Sequence, residues 1–215
     1  MNLKMRLERF NNIDIYPVIS SEFCLGREPL EVLKKIADGG AKIVQLREKN
    51  IAKSEIAKLA EKFRDITLKY NMLLIINDHV DIALSADADG VHLGQDDLSV
   101  TDAKRDAEEL IVGLSSHSVK EALEAEKNGA DYINIGPIYA TGTKSLSMQP
   151  LGPGAIAEIS SQVNIPFTIM GGIKAANIPE LVSCGASKIA MVTEITEADD
   201  IRSRVCELRR LISGN

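Results

Sequence analysis

Cysteine is scarce in this sequence. Cys24, Cys184 and Cys206 are an odd, widely spaced set in 215 residues, with no C-x-x-C pair. That argues against a disulfide frame or a zinc site and points to a reducing, cytoplasmic setting. The three histidines, His79, His92 and His117, are not spaced as a metal-binding set. No apolar run reaches the length of a membrane span. The opening MNLKMRLERF lacks a secretory apolar region and carries Glu8 among its basic residues. An excess of positive charge is missing too. A net charge of -6 argues against nucleic-acid binding through bulk electrostatics. Any anionic ligand must therefore be met by locally placed cations and backbone N–H groups.

What is present is ordinary in bulk and informative in pattern. Hydrophobic residues are 45% and charged residues 26%, close to the globular average, and a core of that size needs no staples. Four segments look alike: GGAKIVQL (39–46), ADADGVHL (86–93), NGADYINIG (128–136) and CGASKIAMV (184–192). Each follows a helix-like stretch. Each has a small residue where a left-handed helix cap belongs, then a short β-branched apolar run. The repeated unit is the αβ half of an α/β fold, its strands buried on both faces.

Extending the pattern predicts eight strands, near 15–19, 43–46, 73–76, 90–93, 111–114, 132–135, 167–170 and 188–192. Helices are expected over 29–38, 53–70, 80–85, 100–110, 119–128, 153–161, 178–183 and 200–212. In Lys53–Tyr70 the apolar residues Ile56, Leu59, Ala60, Phe63 and Ile66 recur at helical spacing. Leu3, Leu7 and Phe10 mark a short N-terminal amphipathic helix that covers part of the fold. The alternation predicts a single (β/α)8 barrel over 1–215, near the lower size limit of that architecture, about 200 residues. An open doubly wound sheet is the runner-up. Its usual G-x-G-x-x-G turn is absent after the first strand, where SSEFCLGREP stands.

Unusual polar residues collect just after the strands, the face on which barrels carry their sites. Gln45, Arg47 and Lys49 alternate after the second strand and so point one way. Arg47 with Glu48 could otherwise be a surface ion pair. Asn77-Asp78 follow the third strand as a helix cap, a Mg²⁺ site, or both. Of Asp96 and Asp97 after the fourth, one is a plausible oxygen ligand for the same ion. Ser115, Ser116 and His117 follow the fifth strand. Gly171-Gly172 after the seventh can bind phosphate or merely make a turn, and Thr193 follows the eighth. The loop GPIYATGTKSLSMQPLG (136–152) has Thr141, Thr143 and Lys144 and no carboxylate. His92 is expected inside the barrel and His117 at a helix start. So much anion capacity fits a pyrophosphate with Mg²⁺ and a second phosphorylated partner. It suggests transfer of an alkyl group away from pyrophosphate.

The segments VQLREK, INDHVDIAL, GVHLGQDD, GLSSHS, DYINIGPIYATGTK, MGGI and MVTEIT resemble the thiamine phosphate synthase family. They run in that family's order from the second strand to the end of the eighth. The resemblance implies a (β/α)8 barrel that joins an aminopyrimidine methyl diphosphate to a thiazole phosphate, releasing pyrophosphate with Mg²⁺. It implies that Gln45, Arg47, Lys49 and Asn77 hold the pyrimidine diphosphate, with Glu48 counted among the substrate contacts. Asp78 and Asp97 would bind Mg²⁺. Ser115 and Lys144 would contact the diphosphate, Lys49 and Lys144 neutralising it as it leaves. Thr141, Thr143, Gly172, Val192 and Thr193 would hold the thiazole phosphate. The partners expected are these small molecules, with no nucleic acid and no membrane; a homo-oligomer stays open. Two rivals remain. One is a thiazole tautomerase on a similar barrel, a type that generally lacks the paired carboxylates and the full T-x-T-K loop. The other is a phosphate-binding barrel without turnover.

Overall fold

In the computed structural model, which describes residues 1–142 and 149–214, eight parallel strands close into a barrel in chain order. They are β1 (Ile15–Ile19), β2 (Ile43–Leu46), β3 (Leu73–Asn77), β4 (Gly90–Leu93), β5 (Ile111–Ser116), β6 (Tyr132–Ile135), β7 (Phe167–Ile169) and β8 (Ile189–Met191). The ring closes where Ile15, Tyr16 and Pro17 pair with Ile189, Ala190 and Met191. Among the described residues the α-helices are α1 (Leu3–Asn11), α2 (Pro29–Asp38), α3 (Lys53–Lys69), α4 (Val80–Ser85) and α5 (Val100–Asp106). They continue with α6 (Val119–Lys127), α7 (Gly154–Ser160), α8 (Ile178–Ser183), α9 (Thr193–Thr196) and α10 (Ile201–Ser213). The runner-up open sheet is excluded by the closure.

The repeated unit has the expected turn. Gly40, Asp87, Gly129 and Gly185 all have positive φ between a helix and the next strand. Asp87 is the non-glycine among these four, and Asn71 before β3 adopts the left-handed conformation in the same way. Helix starts are fixed locally. Ser118 Oγ accepts from Glu121 N and Asp200 Oδ1 from Ser203 N, satisfying N–H groups with no intrahelical partner.

The outer core lies between strands and helices, where residues such as Val44, Leu74, Val91, Ile133, Phe63 and Val205 are shut from solvent. A second cluster fills the barrel itself: Tyr16, Ile43, Leu73, Ile75, Ile111, Tyr132 and Ala190. Phe10 of α1 joins it, fully buried, its ring centroid 4.4 Å from that of Tyr132. Leu3 N donates to Glu109, and Arg9 Nη2 to the Asn71 carbonyl at 2.6 Å. Glu109 and Asn71 precede β5 and β3, so α1 closes the N-terminal mouth. The opposite mouth is left for ligands.

Most element ends fall within a residue or two of expectation; one helix end and one added helix depart further. Helix α5 stops at Asp106, not Leu110. Ala107 and Leu110 are nevertheless buried, in a turn where Leu110 N donates to the Ala107 carbonyl at 3.0 Å, so the apolar pattern outlasts the helix. Helix α9 is a single turn, too short for periodicity to announce.

Candidate functional site

The open mouth holds a cavity. Arg47, Ser115, Thr141, Gly172, Val192 and Thr193 line it, so six residues from five loops or strand ends meet there. Thr143 and Lys144 lie outside the described residues.

The β6–β8 side is built by close backbone approach. Ile138 N and Tyr139 N donate to the Met170 and Gly171 carbonyls, each at 2.9 Å, laying the β6 loop against the β7 turn. A Cβ on Gly172 would stand 2.2 Å from the Ala140 carbonyl oxygen. Gly172 also has φ +61°, so sterics alone explain its identity. Its place on the cavity wall beside Thr193 leaves the anion-binding reading available as well. Glu194, next in line, takes Lys174 Nζ at 3.2 Å and the Ala175 N–H at 3.3 Å. It thereby ties the β8 turn to the β7 turn.

The β2–β4 side carries the charge. Lys49 pairs with Asp78, whose carboxylate is also within hydrogen-bonding reach of Asp97. Burial, more than either neighbour, raises the Asp78 carboxyl above its ordinary value; Asp97 adds to this and Lys49 opposes it. Asp97 Oδ2 accepts from Gly94 N at 2.6 Å, which aims it. Asp78 sits at φ +62°, and α4 begins at His79–Val80 without a side-chain cap, so Asp78 serves the cluster and not the helix. Among the described residues no three His, Cys, Asp or Glu side chains gather as a metal set. The Asp78–Asp97 pair is what remains. Two carboxylates suit an ion such as Mg²⁺, which takes one or two protein carboxylates and completes its shell with water and phosphate.

Arg47 and Lys49 point to the site as their alternation requires. Glu48, between them, points the other way: it is 5% exposed and accepts from Ser21 N at 2.8 Å and Ser21 Oγ at 2.6 Å. It is not part of the cavity wall. It fastens the β1 loop to the β2 loop.

Below the rim runs a hydrogen-bonded chain that single-residue reasoning missed, apart from the interior placement of His92. Gln45 Nε2 donates to Tyr16 Oη at 3.0 Å, and the Tyr16 and Tyr132 hydroxyls lie 3.1 Å apart. His92 Nδ1 meets Tyr132 Oη at 2.9 Å, and its Nε2 meets Ser115 Oγ at 3.0 Å. Burial makes both phenols weaker acids, raising their pKa values well above the ordinary tyrosine value and so favouring the protonated hydroxyls. The chain fixes Gln45 and Ser115 from beneath. Asn77 is buried beside it, with an Nδ2 that has no partner among the described residues. Such an uncompensated donor costs stability unless a ligand meets it. His117 lines the cavity and its Nδ1 lies 2.8 Å from Glu121, on the first turn of α6 as expected.

Known proteins resemble this chain along most of its length. The family model for thiamine monophosphate synthase matches residues 15–195. The thiamine-phosphate synthase of Pelotomaculum thermopropionicum is 44% identical over 202 residues, spanning 93% of this chain and 92% of the relative. That of Dictyoglomus thermophilum is 40% identical over 215 residues, covering 100% and 96%. The solved thiamine phosphate pyrophosphorylase of Pyrococcus furiosus superposes with a TM-score of 0.88 at 33% identity, covering 96% of this chain and 98% of that one. With its closed barrel, its polar rim and a model match across most of its length, the chain belongs to the thiamine monophosphate synthase family.

Proposed function

We propose that this chain joins an aminopyrimidine methyl diphosphate to a thiazole phosphate, giving thiamine phosphate and pyrophosphate. The observation that carries the reading is the pairing of two unlike edges at one mouth. A carboxylate pair with Lys49 and Arg47 stands on the β2–β4 side, and Gly172, Thr193 and Thr141 stand on the β6–β8 side. The first edge suits a diphosphate with its cation; the second suits a monophosphate.

Asp78 and Asp97 would hold Mg²⁺, which supplies charge neutralisation to the departing pyrophosphate. Arg47, Lys49 and Ser115 bind the same diphosphate, and Lys144 is assigned to it from the sequence resemblance alone. Gln45 and Asn77 hold the pyrimidine ring, and Glu48 acts indirectly by holding the β1 loop. The bond between the exocyclic methylene and the ester oxygen breaks, and its electron pair leaves with pyrophosphate. The amino-substituted ring shares the positive charge left on the methylene. Thr141, Thr143, Gly172, Val192 and Thr193 hold the thiazole phosphate so that its ring nitrogen attacks that carbon. The protein's part is alignment and exclusion of water.

The test is direct. Purified protein is incubated with both substrates and Mg²⁺, and thiamine phosphate and pyrophosphate are followed together. Equal formation of both is expected. Isomerised thiazole alone would favour the tautomerase, and binding without product would leave a binding protein.

A further inference from the structure

One polar pair at the cavity floor is unused by this reading. Asn134 of β6 is 5% exposed and lines the cavity. In register it sits between Ser115 of β5 and Thr168 of β7. Thr168 is fully buried, and its hydroxyl donates to Asn134 Oδ1 at 2.8 Å. That bond uses the carbonyl end of the amide and fixes its plane. Among the described residues no acceptor is found for Nδ2, and Nδ2 is not one of the atoms sealed from solvent without a partner. It is therefore an oriented donor open to the cavity. Val18, Met170 and Ala190 make the wall around it apolar.

Chemistry narrows what this donor reads. An uncharged N–H among apolar side chains matches an uncharged acceptor with an in-plane lone pair on a flat ring. Phosphate oxygens are served by the cations and backbone of the rim. The thiazole nitrogen must keep its lone pair for attack. The aminopyrimidine has two ring nitrogens, neither of which forms a bond in the reaction. We propose that Asn134, oriented by Thr168, donates a hydrogen bond to a ring nitrogen of the aminopyrimidine and so selects that ring. The proposal rests on the synthase reading above. It assigns a specificity-determining residue on the wall opposite Gln45.

The test uses binding, not turnover. Calorimetry measures the aminopyrimidine methyl monophosphate, which lacks the pyrophosphate leaving group. It also measures two deaza analogues, each with one ring nitrogen replaced by C–H. The proteins are wild type, Thr168→Ser, Thr168→Val and the double variant Asn134→Leu/Thr168→Val. The double variant removes both polar partners together, which a buried site tolerates far better than orphaning one. One deaza analogue should bind wild type about 10-fold or more weakly, because the buried donor is left unmatched. The double variant should bind parent and analogue alike. Thr168→Val should lose part of the discrimination, and Thr168→Ser should keep it. Thermal melting confirms folding; if the double variant fails to fold, the two Thr168 variants carry the comparison. Discrimination that survives in the double variant, or in Thr168→Val at full strength, overturns the assignment. So does a wild type that binds all three rings equally. If such a wild type still makes thiamine phosphate, only the Asn134 assignment falls; if it makes none, the synthase reading falls with it.

Discussion

Asp89→Asn should destabilise the barrel substantially and leave its chemistry alone. The Asp89 side chain is 0% exposed. Its Oδ2 accepts from Arg64 Nη1 at 2.8 Å and from Leu74 N at 2.9 Å, and its Oδ1 lies 3.4 Å from Arg6 Nε. One carboxylate thus joins α1, α3 and the start of β3 at the closed mouth. Asparagine keeps the shape but removes the charge between two guanidinium groups. It also turns an amide donor toward one of them. Breaking a buried ion pair from one side costs about 3–5 kcal/mol. Asp87, 3.5 Å from Arg64 and 3.9 Å from Arg6 but 78% exposed, offsets a little of this. The low end, about 3 kcal/mol, is therefore expected. For a chain of this length that is a fall in Tm of roughly 6–12 °C. Thermal unfolding by circular dichroism gives the shift, and kcat well below the transition gives the activity. An unchanged Tm would refute the electrostatic argument. A parallel loss of kcat would refute the separation of floor from site.

Three further outcomes are expected. Asp78→Asn, chosen because asparagine tolerates the positive φ at this position, should abolish Mg²⁺-dependent turnover with the melting curve retained; full activity would remove Asp78 from the ion's site. Gly172→Ala should displace the β6 loop through the clash with the Ala140 carbonyl. It should lower kcat/KM by about 10- to 100-fold, the effect of misplacing a substrate by about an ångström. Burial, with the Glu48 carboxylate nearby, pushes the Cys24 thiol up to about 11. Iodoacetamide on the native protein at neutral pH should therefore modify Cys184 and Cys206 but spare Cys24, as mass spectrometry of the digest will report.

The strands were legible because parallel strands buried on both faces leave short apolar runs with small residues before them. All eight are found within a residue or two of their expected ends. The charged rim was legible for a related reason: Arg47 and Lys49, Asp78 and Asp97 have no place in a buried strand, so they mark where strands end. The interior was harder. Where both faces of a strand are apolar, sequence does not say which face looks into the barrel. Tyr16, Tyr132 and Asn134 could have faced the helices equally well. The polar Asn134 within the apolar run YINI was the available signal. Glu48 was legible in principle, since the alternation that aims Arg47 and Lys49 at the site aims Glu48 away from it. Contacts between distant loops, such as Glu48 with Ser21, leave no pattern in a single sequence.

The central claim is that two edges of one mouth hold a diphosphate with its cation and a monophosphate. Crystals soaked with Mn²⁺, as a stand-in for Mg²⁺, together with pyrophosphate and thiazole phosphate test it most directly. The account predicts anomalous density between the Asp78 and Asp97 carboxylates, pyrophosphate against Arg47, Lys49 and Ser115, and the monophosphate at Gly172 and Thr193. Manganese bound elsewhere, with that carboxylate pair empty, would contradict it.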